Sequence, residues 1–303
     1  MRIKDINEIE LIKRLSKNFR LDKTVIKGPG DDTAVIKWTR DRYLLYTCDM
    51  TIEGIHFDLR KATPFQAGWK ALGRNISDIG AMGGVPRYAV VSLAIAREQK
   101  LSVADGICRG LKSIADKFGV NIVGGDISRS KNIVIDVSLI GEVEREKLVL
   151  RSGAKPGDVI MVTGSLGGSI KGKHLNFTPR VNEAREILKK FKINSMIDIS
   201  DGLALDLERI LKASKAGACI YESAIPLSND ALSVTSALYD GEDHELLFTM
   251  CVKEAKRFYR SASNKIGSPV SLIGEVTAKK NGCRIIRESG KEEELKIKGY
   301  LHF

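Results

Sequence analysis

Three apolar runs in this chain finish in aspartate: LLYTCD at Asp49, VNIVGGD at Asp126, and SMIDISD, which holds both Asp198 and Asp201. Asp31 and Asp32 stand in GPGDD just ahead of the strand-like TAVI, and Asp78 falls in a helical stretch. Carboxylates at the ends of separate strands converge in space, which is what a hard cation needs. Mg²⁺ takes oxygen ligands and is usually held by a few carboxylates together with substrate phosphates. Taken singly, each aspartate reads as a helix cap or a turn residue, and Asp201, directly ahead of a helix, reads as a pure cap. Taken together they read as a site, because Gly30, Gly124, Gly125 and Gly202 stand beside them and let backbone approach a phosphate closely.

A further glycine segment, Gly167-Gly168-Ser169-Ile170-Lys171-Gly172-Lys173, follows a strand-like run and nearly spells a Walker A loop. His174 stands where Ser or Thr should ligand the metal, and Asn176 to Pro179 is a poor start for the required helix. The segment reads as a flexible glycine loop over phosphates and not as a P-loop.

The elements that must carry these residues follow from period and capping. One helix begins at Thr63, where Thr63-Pro64-Phe65-Gln66 gives a cap, a first-turn proline and a capping-box partner. Phe65, Trp69, Leu72, Ile76 and Ile79 form its apolar face; Lys70, Arg74, Asn75 and Asp78 form the other. A second helix is expected from Ser102, with Asp105 three residues on and a stripe of Val103, Ile107, Leu111 and Ile114. Strands are expected at 42–47, 88–94, 120–123 and 133–140. RSGAKPGD, a polar loop marked by Gly and Pro, divides a domain of residues 1–145 from one of 146–303. Beyond it come a strand at 159–162, a helix from about 180, a strand at 195–199, a helix from 203 and a strand at 219–221. A helix near 229–238 and strands at 246–252 and 270–273 complete the series. Such alternation means an α/β or α+β architecture.

A chain of 303 residues with 43% hydrophobic content buries a real core and fits two domains better than one. Its longest apolar run, near Tyr88 to Ala96, is about half of the ~20 residues needed to cross a bilayer, so no membrane segment is expected. Five scattered cysteines with no CxxC pair suggest neither a disulfide framework nor a zinc site, and a reducing cytoplasm fits. A net charge of +11 allows an anionic partner, either nucleic acid or a phosphorylated small molecule. The basic residues are spread along the chain, and the 6% of aromatics do not interleave with them, so nucleic acid ranks second.

Read in order, these segments resemble the thiamine-monophosphate kinase family. Its PurM-like superfamily also holds aminoimidazole ribonucleotide synthetase, selenophosphate synthetase and a hydrogenase maturation factor. The resemblance covers nearly the whole chain, through EIELIKRL (8–15), GPGDDTAVI (28–36), TCDMTIEGIHFD (47–58), KALGRNISDIGAMGGVP (70–86), GGDISRS (124–130), RSGAKPGD (151–158), MIDISDGLALDL (196–207), DGEDHELLFT (240–249), IGEV (273–276) and KGYLHF (298–303). The acidic segments are shared across the superfamily; IEGIHF, the GED segment and the terminal GY resemble the thiamine-phosphate kinase branch.

The resemblance implies a two-domain PurM-like fold and transfer of the γ-phosphoryl group of ATP to thiamine phosphate. It implies a homodimer whose N-terminal sheets join, with ATP near that interface and the C-terminal α/β domain completing the nucleotide and acceptor sites. Carried over by motif, Asp32, Asp49, Asp78, Asp126 and Asp198 would hold several Mg²⁺ ions, with Asp201 on a further one and Thr47 and Cys48 at the edge. Gly125, Asp126, Arg151 and Ser200 would contact the nucleotide; His56, Glu242 and Tyr300 would contact thiamine phosphate. Three departures stand out: Cys48 where Thr or Ser is more usual, Asp240-Gly241-Glu242-Asp243-His244-Glu245 where the family has GGEDYE, and a shorter segment from Gly164 to Ser195.

The chemistry suits these residues. A phosphate monoester has its second pKa near ~6, so at pH 7 it is already an anionic nucleophile and needs no strong base. The difficulty is to bring two polyanions together in line, which positioning and charge neutralisation achieve. Two other readings remain at this stage. Another ATP-dependent PurM-like enzyme, such as a ribonucleotide synthetase, is separated by a product assay. A basic nucleic-acid-binding protein would show salt-dependent affinity and no nucleotide turnover.

Overall fold

The computed structural model describes Arg2, residues 5–261 and residues 266–301, so the last two residues of KGYLHF lie outside the described part. Helix α1 (Glu8–Ser16) is capped by Asn7, whose side chain accepts from the Glu10 amide. Then follow strands β1 (Val25–Lys27), β2 (Ala34–Lys37) and β3 (Arg42–Ile52), helix α2 (Pro64–Ala81), β4 (Val85–Ile95), helix α3 (Leu101–Phe118), β5 (Asn121–Arg129) and β6 (Val134–Glu144). These strands make one sheet in the order β1-β2-β3-β6-β4-β5, with β4 and β5 parallel and joined through α3. A parallel pair requires a crossover of this kind.

Helix α2 starts as its sequence dictates, with Thr63 and Gln66 satisfying each other's backbone amides. It packs on α3 at close range, and a Cβ at Gly110 would sit 1.9 Å from the Phe65 carbonyl oxygen. The polar face of α2 is largely enclosed: Lys70 and Asn75 are buried on it, as is the adjoining Ser77. That face turns into the junction with the rest of the chain, where polar partners await it. Helix α3 begins one residue ahead of Ser102 and takes no side-chain cap at Lys100. Its register is set by burying Ile107, Gly110, Leu111 and Ile114, and that packing overrides the capping signal.

The polar segment after Leu45 was expected to leave the sheet near Thr47. Instead β3 stays paired with β6 over its full length, from Arg42 opposite Glu144 to Ile52 opposite Val134. Asp49 therefore lies within a strand, and so does Asp126, because β5 runs on through Gly124 and Gly125 to Arg129. Of the three aspartate-terminated runs, only Asp198 closes a strand. Gly125 is demanded by backbone packing, since a Cβ there would meet the Val91 carbonyl oxygen at 1.8 Å.

The second sheet contains β7 (Asp158–Thr163), β8 (Ser195–Asp198), β9 (Ala216–Tyr221), β10 (Leu246–Cys251), β11 (Val270–Ala278), β12 (Cys283–Ile286) and β13 (Glu292–Glu294). Their order is β13-β12-β9-β11-β7-β10-β8. Helices α4 (Val181–Leu188), α5 (Leu203–Ser214), α6 (Val234–Tyr239) and α7 (Val252–Ser261) accompany it. Val252, expected in a strand, opens α7, and the helix expected near 229 starts only at Val234. Strands β8 and β10 are buried along nearly their whole length, and the apolar run of β7 is buried with them. The two halves are not sealed from one another: Leu175 and Val181 pack into the core under the first sheet, and Ala81 at the end of α2 packs with Met161, Ile187 and Phe248. Between them lies the cleft to which α2 and β8 bring their acids.

Candidate functional site

Asp78 projects from the last turns of α2, Asp198 from the end of β8, and Asp32 from the turn entering β2. Carboxylate oxygens of these three residues lie within 4.8 Å of one another. Thr47 donates its hydroxyl to Asp78 at 2.7 Å, Ser77 donates to Asp198 at 2.6 Å, and Arg151 meets Asp32 Oδ1 at 2.7 Å. Asp32 Oδ2 is buried without a hydrogen-bond partner. Burial, with the neighbouring Asp198 and Asp31 charges against the pull of Arg151, pushes the Asp32 carboxyl up to about 7. Burial and the charges of Asp49, Asp198 and Asp32 hold Asp78 well above the usual carboxylate range. Burial also works against charge on Asp198, but the hydrogen bond and charge of His244, with Ser77 and Arg151, bring it below its ordinary value. Three convergent carboxylates, one oxygen orphaned, form a site that takes up positive charge. Its donors are all oxygen, the set that Mg²⁺ requires.

Around this cluster the structure assembles most of the residues expected from sequence. Asp49 faces α2 and pairs with Arg74 at 3.4 Å. Ser200 and Asp201 lie in the loop after β8, where both backbone amides donate to Asp206, and Asp201 pairs with Arg209 at 2.6 Å. Asp201 is therefore not the helix cap it was expected to be. Gly202 holds the cap position of α5, and Asp206, from inside the helix, satisfies the loop amides.

The acceptor candidates form a connected set. His56 is buried, its Nδ1 accepts from the Ile52 amide at 3.0 Å, and its carbonyl accepts from Lys70 at 2.8 Å. Lys70 also pairs with Glu242 at 2.8 Å, and His244 lies 3.4 Å from Glu242 and 3.3 Å from Asp198. His244 stacks on Phe177 with ring centroids 3.9 Å apart. Burial opposes protonation of this imidazole, yet the two carboxylates raise its pKa above the ordinary histidine value. Glu242 is pulled the other way: burial is outweighed by His244, Lys70 and Arg74, and its carboxyl falls well below the usual range. Glu242 (φ 58°) and His244 (φ 49°) both adopt left-handed backbone, and their amides donate to the Ser200 and Ile199 carbonyls at 2.7 and 2.8 Å. Tyr300 donates its amide to the Asp201 carbonyl at 3.0 Å, and burial with the Glu242 and Asp201 charges raises its phenol.

Three expected residues stand elsewhere. Cys48 is exposed, on the opposite face of β3 from Thr47 and Asp49. Gly125 and Asp126 lie on β5, which is exposed along its whole length. Asp126 is in register with Ser92, and Ser92 with Asp136, so these three share the outer face of the first sheet. No hydrogen bond or ion pair among the described residues joins Asp126 to the three-carboxylate cluster.

The glycine segment at 167–173 is tied down and is not the flexible loop expected. The Gly167 amide donates to Asp243 at 3.0 Å, and Lys173 pairs with buried Glu245 at 3.0 Å. Arg180 and Thr163 also hold Glu245. Two short 3₁₀ turns replace the helix a P-loop needs. Sequence reasoning missed Lys70, Arg74, Ser77 and Arg209 as site residues. The 70/74/78 spacing was visible, but a polar helix face reads as solvated until something packs on it.

Residues 30–143 match the family described as AIR synthase related protein, N-terminal domain, and 155–286 match its C-terminal domain. A thiamine-monophosphate kinase of Buchnera aphidicola subsp. Schizaphis graminum (strain Sg) is 34% identical over 99% of this chain and 99% of its own. The chain belongs to the thiamine-monophosphate kinase family. Its function is the one that family is named for, phosphorylation of thiamine monophosphate, and its fold is the two-domain PurM-like fold. Another member, from Escherichia coli (strain K12), is 32% identical, covering 98% of each chain. The structure described as AaThiL complexed with AMPPCP and TMP superposes with a TM-score of 0.86 at 32% identity, covering 100% of this chain and 99% of that one. Thiamine monophosphate kinase from Aquifex aeolicus gives 0.79 at 30% identity, covering 97% and 100%. The hydrogenase maturation protein HypE in complex with ATP gives 0.72 at 19% identity over 94% of each chain, a likeness of fold.

Proposed function

We propose that this member of the thiamine-monophosphate kinase family transfers the γ-phosphoryl group of ATP directly to thiamine phosphate in the cleft lined by α2 and β8. The observation that carries the reading is the Asp32-Asp78-Asp198 cluster, set beside the Lys70-Glu242-His56 group, with α2 supplying Asp78 to the first and Lys70 to the second. Asp32, Asp78 and Asp198 are the residues that would hold magnesium, with Asp49, Thr47 and Asp201 next to them. Magnesium bound there would neutralise phosphate charge and hold nucleotide oxygens. Arg151, already at Asp32, adds a fixed cation, and Ser200 lies on the adjoining loop. The AaThiL structure complexed with AMPPCP and TMP supports ATP and thiamine phosphate as the ligands of this cleft.

His56, Glu242 and Tyr300 shape the acceptor end. The acceptor phosphate is itself the nucleophile, so no covalent enzyme intermediate is required. Domain boundaries at 145/146 would give the first sheet the dimerising role. Exposed β5, with Ile127 78% exposed beside Asp126, supports a homodimer in which Gly125, Asp126 and Cys48 face the partner subunit and complete the nucleotide site. No helix among the described residues is long and apolar enough to cross a membrane, and free cysteines support a cytoplasmic home.

The test is incubation with ATP, Mg²⁺ and thiamine phosphate. Thiamine diphosphate and ADP are the expected products, EDTA stops their formation and added Mg²⁺ restores it. ATP hydrolysis without thiamine diphosphate sinks the reading.

A further inference from the structure

Helix α2 presents a ladder to the cleft. Lys70, Arg74 and Asp78 follow one another at intervals of four residues and so stack on one face, each about 6 Å of helix rise from the next. The first rung meets the acceptor candidates, with the Lys70 ammonium 2.8 Å from Glu242 and 2.8 Å from the His56 carbonyl. The last rung meets the metal candidates, with Asp78 in the carboxylate cluster and its neighbour Ser77 bound to Asp198 at 2.6 Å. Arg74 is the rung between. Its guanidinium donates to the Met50 carbonyl at 3.1 Å and reaches Asp49 at 3.4 Å, and its side chain is 18% exposed. These contacts occupy two of the five donors of a guanidinium. Asp49, Glu242, Asp78 and Asp201 are the charges that surround it.

A single 3.4 Å contact to Asp49 is not the two-pronged pairing that arginine makes when a carboxylate is its real partner. A guanidinium fork with free donors, in a cleft ringed by carboxylates, matches a phosphate. Lys70 does not fill this role, because its ammonium is committed to Glu242 and to the His56 carbonyl. A phosphoryl group passing from the metal end of the cleft to the acceptor end has to cross the level of Arg74. We propose that Arg74 contacts substrate, gripping the phosphate of thiamine phosphate and holding it in line with the nucleotide. The inference rests on the proposed placement of acceptor and metals at the two ends of the ladder.

The experiment measures equilibrium binding of thiamine phosphate, and separately of thiamine, to the full chain with Mg²⁺ and a non-hydrolysable ATP analogue present. Arg74→Gln is expected to weaken thiamine phosphate about 10- to 100-fold, the range of lost charge-assisted hydrogen bonds, while thiamine and the analogue stay within about twofold. Arg74→Lys should fall between, since it keeps the charge without the fork. Retained analogue binding shows that the variant is folded; should Arg74→Gln lose it, Arg74→Lys carries the test with the same readout. Arg74→Gln that binds thiamine phosphate as wild type does overturns the proposal, and so does equal loss of thiamine and thiamine phosphate. Wild type that binds neither compound overturns the functional reading itself, and the proposal with it.

Discussion

Asp78 and Asp126 both belong to acidic, glycine-accompanied segments, yet the fold treats them in opposite ways. Asp78 is enclosed, within 4.8 Å of two other carboxylates, with a hydroxyl donor at 2.7 Å, and burial and three neighbouring acids raise its pKa. Asp126 stands on an edge strand exposed from Asn121 to Arg129, with its nearest register partner a serine. The enclosed group is complete within one chain, because α2, β8 and the turn before β2 all converge there. The edge group has an open ladder on one side, and an exposed edge strand is ordinarily covered or paired. One half of the candidate site is thus decided by intramolecular packing, and the other half waits on what lies against β5.

Breaking the enclosed group should cost most. Asp78→Asn or Asp198→Asn is expected to lower kcat about 10²- to 10³-fold or more while the fold survives, because each removes charge for the cation and no packing volume. Turnover near wild type at saturating Mg²⁺ for either variant would rule out the cluster as the metal site.

The edge group is tested by its dependence on association. Asp126→Asn should abolish most turnover, and Ile127→Glu, at a position 78% exposed, should give a folded monomer with the same defect. Sedimentation and activity are read together. A monomeric Ile127→Glu with full activity would show that the enclosed half suffices alone.

Proton linkage separates the two groups further. The Asp32 carboxyl, raised to about 7 by burial and by its neighbours, keeps a proton in the folded, metal-free state that the unfolded chain has already released. Folded protein therefore binds more protons between about 4 and 7, so its stability falls as pH rises through that window. With EDTA present, Tm is expected to be higher at about pH 5.5 than at about pH 8, and the rise in Tm given by Mg²⁺ to be larger at the higher pH. A metal-free Tm that climbs over this range contradicts the assignment.

The smallest effects are expected at the acceptor rim. His56→Ala and Tyr300→Ala should raise KM for thiamine phosphate several-fold and leave KM for ATP unchanged, with Tyr300, 44% exposed, the milder of the two. An equal rise in both constants would place these residues with the nucleotide or with the fold.

Much of this was legible beforehand. The capping box at Thr63 and the apolar spacing of Leu72, Ile76 and Ile79 marked α2 correctly, because local hydrogen bonds and helical period are properties of adjacent residues. Asp32, Asp78 and Asp198 were legible as a set only through their company, since each alone reads as a turn residue. Asp49 and Asp126 were placed at strand ends because polar residues and glycines read as loops. In the fold, pairing with β6 and β4 carries both strands onward, and nothing near those residues in sequence announces it.

What the sequence by itself determined is the alternation of elements, the family they belong to and the acids available for chemistry, because period, capping and motif order are local or cumulative signals. Tertiary structure alone decided how those acids divide. It buried the polar face of α2, set Lys70 against Glu242 and Ser77 against Asp198, and made His244 the bridge between the two carboxylates. It also turned the near-Walker lysine, Lys173, into a brace for Glu245. Each outcome depends on residues tens to more than a hundred positions apart, except where His244 meets Glu242, and partners at that distance are chosen by packing, which no local spacing records.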